Sequence, residues 1–207
     1  MTQVSHAISL GFTGQQFEPG VHICQIFSDD DERQEALLKF ILSGLQGGER
    51  AACFSERTTA EAVEEFLDGF GVSFGQAVDS GALTLSGTSD VYFQGGTFDP
   101  ERMLGLLRQF HEQALARGYT AARVIGEMTP EVQHIPGGSR LLEYESRVSM
   151  LLREHPVTAV CQYDARSFDG ATIMDILKVH PYMIVRGSVV RNPFFTAPEE
   201  YLAKGKL

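Results

Sequence analysis

The 207-residue chain predicts an α/β fold, a mostly parallel sheet with helices on both faces. Three observations carry that expectation. Short runs rich in β-branched and aromatic residues alternate with amphipathic stretches along almost the whole length. The runs 21–27 (VHICQIF), 121–127 (AARVIGE) and 157–163 (VTAVCQY) place apolar residues at positions of both parities, as strands covered on two faces do. Gly or Pro punctuates most boundaries between them. A chain of this length buries roughly 70% of the surface its unfolded form exposes, enough for one domain without staples.

The elements follow in order. After the first run, residues 29–45 space Ala36, Leu37, Phe40, Ile41 and Leu45 as one helix face, with Gly47-Gly48 to stop it. Asp29 caps that helix, and Glu32 three residues later completes a capping box. Residues 50–55 form a second strand, and 59–70 a second helix capped by Thr58 or Thr59. Residues 83–86 and 91–93 are brief strand candidates. Pro100 opens a long helix to about Arg117, with Gly118 beyond it. Strand 121–127, helix 139–154, strand 157–163 and helix 170–178 follow, and residues 182–190 form one strand or a hairpin around Gly187. No repeat or linker interrupts the series.

Charge limits the partners. Lys plus Arg is 17 against 27 for Asp plus Glu, a net charge of −10. Residues 1–100 hold 4 basic and 15 acidic side chains, a balance of −11, so such a surface repels phosphate backbones and direct nucleic-acid binding is not expected. The odd set Cys24, Cys53 and Cys161 reads as reduced, mostly buried thiols. No apolar run reaches the ~20 residues of a membrane helix, and residues 1–20 lack a basic start followed by an apolar core, so a cytoplasmic chain is expected.

Ligands of parallel sheets sit at the carboxyl ends of strands, here residues 27–31, 55–58, 127–130 and 163–166. A phosphate cradle there needs glycines and a lysine, but the first such loop reads Phe27-Ser28-Asp29-Asp30-Asp31-Glu32, and the one Gly-Lys pair is Gly205-Lys206. Those acids suit a helix start, which places negative charge where phosphate would dock. No Gly-x-Ser-x-Gly follows a strand (Gly71-Val72-Ser73-Phe74-Gly75 comes after the 59–70 helix and is no nucleophile elbow), and His-Glu-x-x-His, Cys-x-x-Cys and Gly-x-Gly-x-x-Gly are missing, so no catalytic residue and no cofactor is expected.

The polar residues that remain are the candidates. His22 and Cys24 lie two apart on one strand, on one face and about 6.6 Å from each other. They can contact a compact ligand or a metal, or simply pack and bond backbone. Cys161-Gln162-Tyr163-Asp164 gathers polar groups near a strand end, with Arg166 close enough to pair with Asp164. A metal set of His22, Cys24, Cys161 and His180 has suitable ligand types but no second close-spaced pair, so no metal is expected. Glu127 ends its strand and can act as a base, grip a polar group or stay solvated. In helix 139–154, Glu143 pairs with Arg147 on the polar face, whereas Glu145 falls inside the apolar stripe of Leu141, Tyr144 and Val148. A buried carboxylate needs partners, so Glu145 is the stronger candidate, its alternative being a structural bond to backbone or to Arg123.

Several segments together resemble one family. They are Gly20-Val21-His22-Ile23-Cys24, Gly44-Leu45 through Gly48-Glu49-Arg50, and Tyr92 with Gly96-x-Phe98. Arg123 with Gly126-Glu127-Met128, Leu142-Glu143-Tyr144-Glu145, Cys161-Gln162-Tyr163-Asp164, His180-Pro181 and Asn192-Pro193-Phe194 continue the match. The pattern is similar to the MEDS domain, a sensory module named for methanogen and methylotroph proteins and for the DcmR regulator. The resemblance implies a RecA/KaiC-like scaffold without a functional phosphate loop, with residues 20–198 as the domain, 1–19 as an N-terminal segment and 199–207 as a tail. It also implies that His22, Cys24, Glu127, Glu145, Cys161, Tyr163, Asp164 and His180 line or support a pocket for a small organic ligand, a hydrocarbon derivative. No output domain is recognisable in the 207 residues, so the expectation is a stand-alone prokaryotic sensor signalling through a separate regulator or kinase, a homo-oligomer being compatible with it; the alternatives are a nucleotide-dependent enzyme, a thiol enzyme using Cys24 or Cys161 with His22, or a metal-binding sensor. Thr129-Pro130 departs from the pattern, which has an aromatic residue there, and so removes an expected stacking contact.

Overall fold

The computed structural model describes residues 7–204. Residues 1–6 and the Gly205-Lys206 pair lie outside the described residues.

Two short strands, β1 (Ile8–Ser9) and β2 (Gln16–Phe17), form an antiparallel pair, and Leu10 beside them is fully buried. Strand β3 (His22–Phe27) then enters the main sheet and leads into α1 (Asp30–Gln46). Asp29 caps α1 by accepting the Glu32 amide at 2.9 Å, and three acidic residues occupy its first turn, as the helix dipole favours. Strand β4 (Arg50–Phe54), helix α2 (Ala60–Asp68, capped by Thr59), helix α3 (Phe74–Asp79) and strand β5 (Leu83–Ser86) follow.

Residues 91–93 are not a strand. They close α4 (Thr88–Tyr92), which Glu56 anchors by accepting the Ser89 amide at 2.7 Å. Burial of the Tyr92 ring overrides the local β preference: its hydroxyl lies where a Cβ on Gly126 would come within 2.4 Å. Helix α5 (Pro100–Ala116), strand β6 (Ala122–Met128), helix α6 (Leu141–Leu151) and strand β7 (Val157–Asp164) come next. The α6 helix is shorter than its sequence pattern, because residues 138–140 form a 3-10 turn ahead of it. Helix α7 (Gly170–Val179), the hairpin of β8 (Tyr182–Val185) and β9 (Ser188–Arg191), and α8 (Pro198–Lys204) complete the described chain. The hairpin turns at Arg186-Gly187, and α8 occupies most of the expected tail, tied to the body by Arg153–Glu199 at 2.5 Å.

The seven-stranded sheet has the order β5-β4-β6-β7-β3-β8-β9, parallel throughout except for the closing hairpin. Helices α1 and α2 cover one face, where Leu37, Phe40, Ile41, Val63 and Leu67 meet Ile23, Ile125 and Val160. Helices α5, α6 and α7 cover the other, where Met103, Leu107, Tyr144, Val148 and Ile176 meet Val124, Ala159 and Tyr163.

A buried ion pair joins the layers on the α1 face. Arg123, fully inaccessible on β6, forms two bonds to the Glu49 carboxylate, one of them Nε to Oε2 at 2.9 Å. Its remaining donors reach Phe40 O and Ser43 Oγ, each at 2.8 Å, and Ser9 O at 3.0 Å. Gly44 in α1 makes room for this guanidinium, since a Cβ there would lie 2.5 Å from Arg123 Cδ.

Two outcomes follow. Glu49→Gln leaves a buried charge without its partner and lowers chemical-denaturation stability by about 3–5 kcal/mol. Gly44→Ala, which gains about 1 kcal/mol in an exposed helix, destabilises here because Arg123 is fixed by five bonds and cannot withdraw.

Candidate functional site

The alternation of side chains along β3 and β7 puts His22, Cys24, Cys161 and Tyr163 on the face beneath α6 and α7. Parallel pairing in the register His22↔Ala159 and Cys24↔Cys161 makes them neighbours. Helix α6 lowers Glu145 onto them, and α7 delivers His180 from its C-cap. His22 Nε2 lies 3.3 Å, and His180 Nε2 3.5 Å, from the same carboxylate oxygen, Glu145 Oε2. Cys161 Sγ lies 3.5 Å from His22 Nε2 and 3.7 Å from Glu145 Oε2. The other carboxylate oxygen, Oε1, accepts a 2.6 Å hydrogen bond from the Tyr163 hydroxyl.

The far sides of both imidazoles are also held. His180 Nδ1 donates to the carbonyl of Ile176 at 2.8 Å, and His22 Nδ1 lies 2.8 Å from Ser149 Oγ, one turn beyond Glu145 on α6. His22, Glu145, Tyr163 and His180 are buried, and Cys161 is partly accessible. Cys24 sits apart from the convergence: its thiol donates to the Tyr182 carbonyl at 3.6 Å.

Burial, aided by the His180 charge, lowers the His22 pKa to about 4, against the pull of Glu145. Burial alone would raise Glu145, but bonds and charge from His180 and His22 outweigh it and hold the carboxyl below its ordinary range. Burial raises the Cys24 thiol to about 12, and burial with the Glu145 charge raises Cys161 well above an ordinary thiol.

The structure separates the eight expected residues into two groups. His22, Glu145, Cys161, Tyr163 and His180 converge, with Cys24 adjacent on β3. Glu127 and Asp164 belong to the opposite parity of β6 and β7 and stand at the carboxyl end of the sheet on the α1 side. There Arg57, a residue the sequence reading passed over, lies between three carboxylates. Its Nε is 2.9 Å from Glu127 Oε1, and its Nη1 is 3.0 Å from both Asp30 Oδ1 and Asp164 Oδ2. Ser55 Oγ donates to Glu127 Oε2 at 3.0 Å. Arg166 grips Asp164 with Nε and Nη2, each at 2.8 Å, and reaches Asp30 at 3.0 Å. Glu145 has no bond to Arg123, which belongs to the Glu49 pair. Ser149 was the second omission; the i, i+4 spacing from Glu145 was its only signal in the sequence. A cavity of about 830 Å³ opens at the other end of the sheet, lined by Ile8, Ser9, Gln46, His111 and Thr120 and by none of the eight.

Asp164 offers a test of the strand-end network. The Arg166 hydrogen bond, with help from Arg57, holds its carboxyl well below the usual 3.8. A depressed folded pKa adds stability above the ordinary carboxylate range and loses it as pH falls through that range. Asp164→Asn should therefore cost about 1–3 kcal/mol at pH 7, and the difference from the parent protein should shrink below about pH 4 in urea titrations.

The fold is similar to two solved structures. The KaiC-like protein PH0186 from the hyperthermophilic archaeon Pyrococcus horikoshii OT3 aligns with a TM-score of 0.57 at 15% identity, over 86% of this chain and 79% of that one. The flagellar accessory protein FlaH from Methanocaldococcus jannaschii aligns with a TM-score of 0.59 at 11% identity, over 89% and 84% of the two chains. At such identities the likeness is one of fold, and it makes the scaffold RecA/KaiC-like. No curated protein matches the sequence. The family model for the MEthanogen/methylotroph, DcmR Sensory domain matches residues 21–181, a span that includes the convergent cluster and most of the sheet. The chain belongs to the MEDS family of sensory domains.

Proposed function

We propose that this chain is a non-enzymatic sensor that takes a small, compact ligand at the His22–Glu145–Cys161–His180 cluster and reports its binding to a separate protein. The observation that carries this reading is the convergence itself. Four elements of an otherwise apolar layer each send one polar side chain to a common point, within 4.8 Å of one another. A core built only for stability gains nothing from such a group, since buried polar side chains cost free energy unless every one finds a partner.

Two observations favour binding over catalysis. The thiols are held protonated by burial, whereas a nucleophilic cysteine needs a lowered pKa. The strand ends, where related scaffolds receive ligands, carry interlocked carboxylates and arginines in place of a glycine-lysine loop. The ligand class stays that of the family resemblance, a small hydrocarbon derivative, and the compactness of the cluster limits its size. A protein partner of basic character suits the acidic first half of the chain, including Asp31 and Glu61, both exposed.

Thermal-shift measurements with short alcohols, halocarbons and carboxylic acids test the proposal. A ligand at 100 times its Kd stabilises by about 2.7 kcal/mol, a rise of roughly 5–11 °C for a domain of this size. At least one compound should produce that rise in the parent protein and not in Glu145→Gln. Absence of any rise at millimolar concentrations counts against the organic-ligand reading.

A further inference from the structure

We infer that His22, Glu145, Cys161 and His180 form a four-coordinate site for a divalent transition metal of borderline softness, zinc or ferrous iron foremost. The inference deepens the sensory reading, on which it rests for its biological role but not for its geometry.

The two imidazole–carboxylate distances inside the cluster are longer than good hydrogen bonds and match coordination edges. Charge-assisted hydrogen bonds between imidazole and carboxylate span about 2.7–2.9 Å. The two imidazole–carboxylate separations here are 3.3 and 3.5 Å. A tetrahedron with metal–nitrogen and metal–oxygen bonds of about 2.0–2.1 Å and a metal–sulfur bond of about 2.3 Å has edges of roughly 3.3–3.6 Å. Four of the six edges measure 3.3, 3.5, 3.5 and 3.7 Å, and the other two, from His180 Nε2 to His22 Nε2 and to Cys161 Sγ, are at most 4.8 Å.

The orientation of the donors points the same way. His180 Nδ1–H is committed to the Ile176 carbonyl, so Nε2 is the ring nitrogen turned toward the carboxylate. That nitrogen is fully buried, and its one polar neighbour on Glu145, at 3.5 Å, is too far for a well-formed hydrogen bond. His22 has the matching arrangement, its Nδ1 against Ser149 Oγ, which itself lies 3.4 Å from the Val179 carbonyl and can pass a hydrogen bond on. Anchoring the distal nitrogen in this way is the usual outer support of a metal-bound histidine. Tyr163, bonded to the non-coordinating oxygen Oε1, orients the carboxylate.

Charge closes the account. No Lys or Arg pairs with Glu145 among the described residues; the groups that face its Oε2 are the two imidazoles and the Cys161 thiol. A divalent ion with one carboxylate, one thiolate and two neutral imidazoles is neutral overall, which suits a largely buried site. The proton displaced from Cys161 leaves to solvent as the metal binds. Two nitrogens, one oxygen and one sulfur are a donor set for zinc or iron, not for calcium or magnesium.

The test uses the full chain, purified without a histidine tag, stripped with chelator and titrated with zinc, ferrous iron or cobalt alone. About one equivalent should bind, and the cobalt form should show thiolate-to-metal charge-transfer absorption. Cys161→Ser should lose that band and Cys24→Ser keep it, with circular dichroism confirming that both fold. Ser149→Ala, which touches no metal, should weaken binding by about 10–100-fold. Less than about a tenth of an equivalent in the parent protein, or a cobalt band that survives Cys161→Ser, overturns the inference. Stabilisation of the metal-free protein by an organic compound, without metal uptake, overturns the metal site and leaves the sensor standing. Metal uptake with no response to any organic compound supports the site and removes the organic ligand.

Discussion

The period of two along β3, β6 and β7 governs almost everything else in this molecule. In strands covered on both faces, each residue must commit to one layer, and a one-residue difference moves a side chain to the other side of the sheet. His22, Cys24, Cys161 and Tyr163 share one parity and meet α6 and α7. Gln25, Gln162, Glu127 and Asp164 share the other and meet α1 and the strand-end loops. Gln162 Nε2 accordingly bonds Gln25 Oε1 at 2.8 Å across the β3–β7 pair, on the side away from the histidines. The tetrapeptide Cys161-Gln162-Tyr163-Asp164 is therefore not one site but two, interleaved.

The two layers solve the problem of buried acids in different ways. On the α1 side, Glu49 meets Arg123, and Glu127 and Asp164 meet Arg57 and Arg166, so guanidinium groups with several donors neutralise each carboxylate. On the α6 side, Glu145 is met by imidazoles and hydroxyl or thiol groups. A guanidinium brings a permanent charge and completes its pair whatever the conditions. Imidazole lone pairs accept an ion that can come and go. The first arrangement fixes a structure, and the second leaves a valence to be filled.

Much of this was legible in the sequence, for physical reasons. The strands and the long helices were readable because their apolar periodicity is unambiguous and Asp29, Thr59, Pro100 and Gly47 mark their ends. Glu145 stood out because a carboxylate inside an apolar stripe has to be compensated. What escaped was set by contacts between distant segments. Residues 91–93 carry β-forming side chains, but Tyr92 is drawn under the sheet against Gly126, which no local pattern records. Arg57 looked like an ordinary loop residue because its three acidic partners come from α1, β6 and β7. The resemblance to the family grouped Glu127 with His22, but the parity of β6 places Glu127 in the other layer.

The cluster's placement bears on how occupancy could reach the surface. Its four ligand groups come from β3, α6, β7 and the end of α7, and α6 supplies both Glu145 and the Ser149 that orients His22. The sheet strands are fixed by ladders on both sides, so they cannot yield. The helices are held by side-chain packing and a few side-chain hydrogen bonds, among them Tyr163 to Glu145 and Ser149 to the Val179 carbonyl, and the turn after α6 holds α8 through Arg153 and Glu199. His180 in turn is tied to the β8–β9 hairpin by Asn192, whose amide bonds the carbonyls of Leu177 and His180 at 2.6 and 2.8 Å. A ligand that draws these groups together acts on α6 and α7 differently from their unliganded positions, and only such a difference in affinity between two arrangements can carry a signal. On the proposed reading, the responsive surface is the α6–α8 side and the hairpin edge of the sheet, while the arginine-locked α1 side serves as the fixed frame.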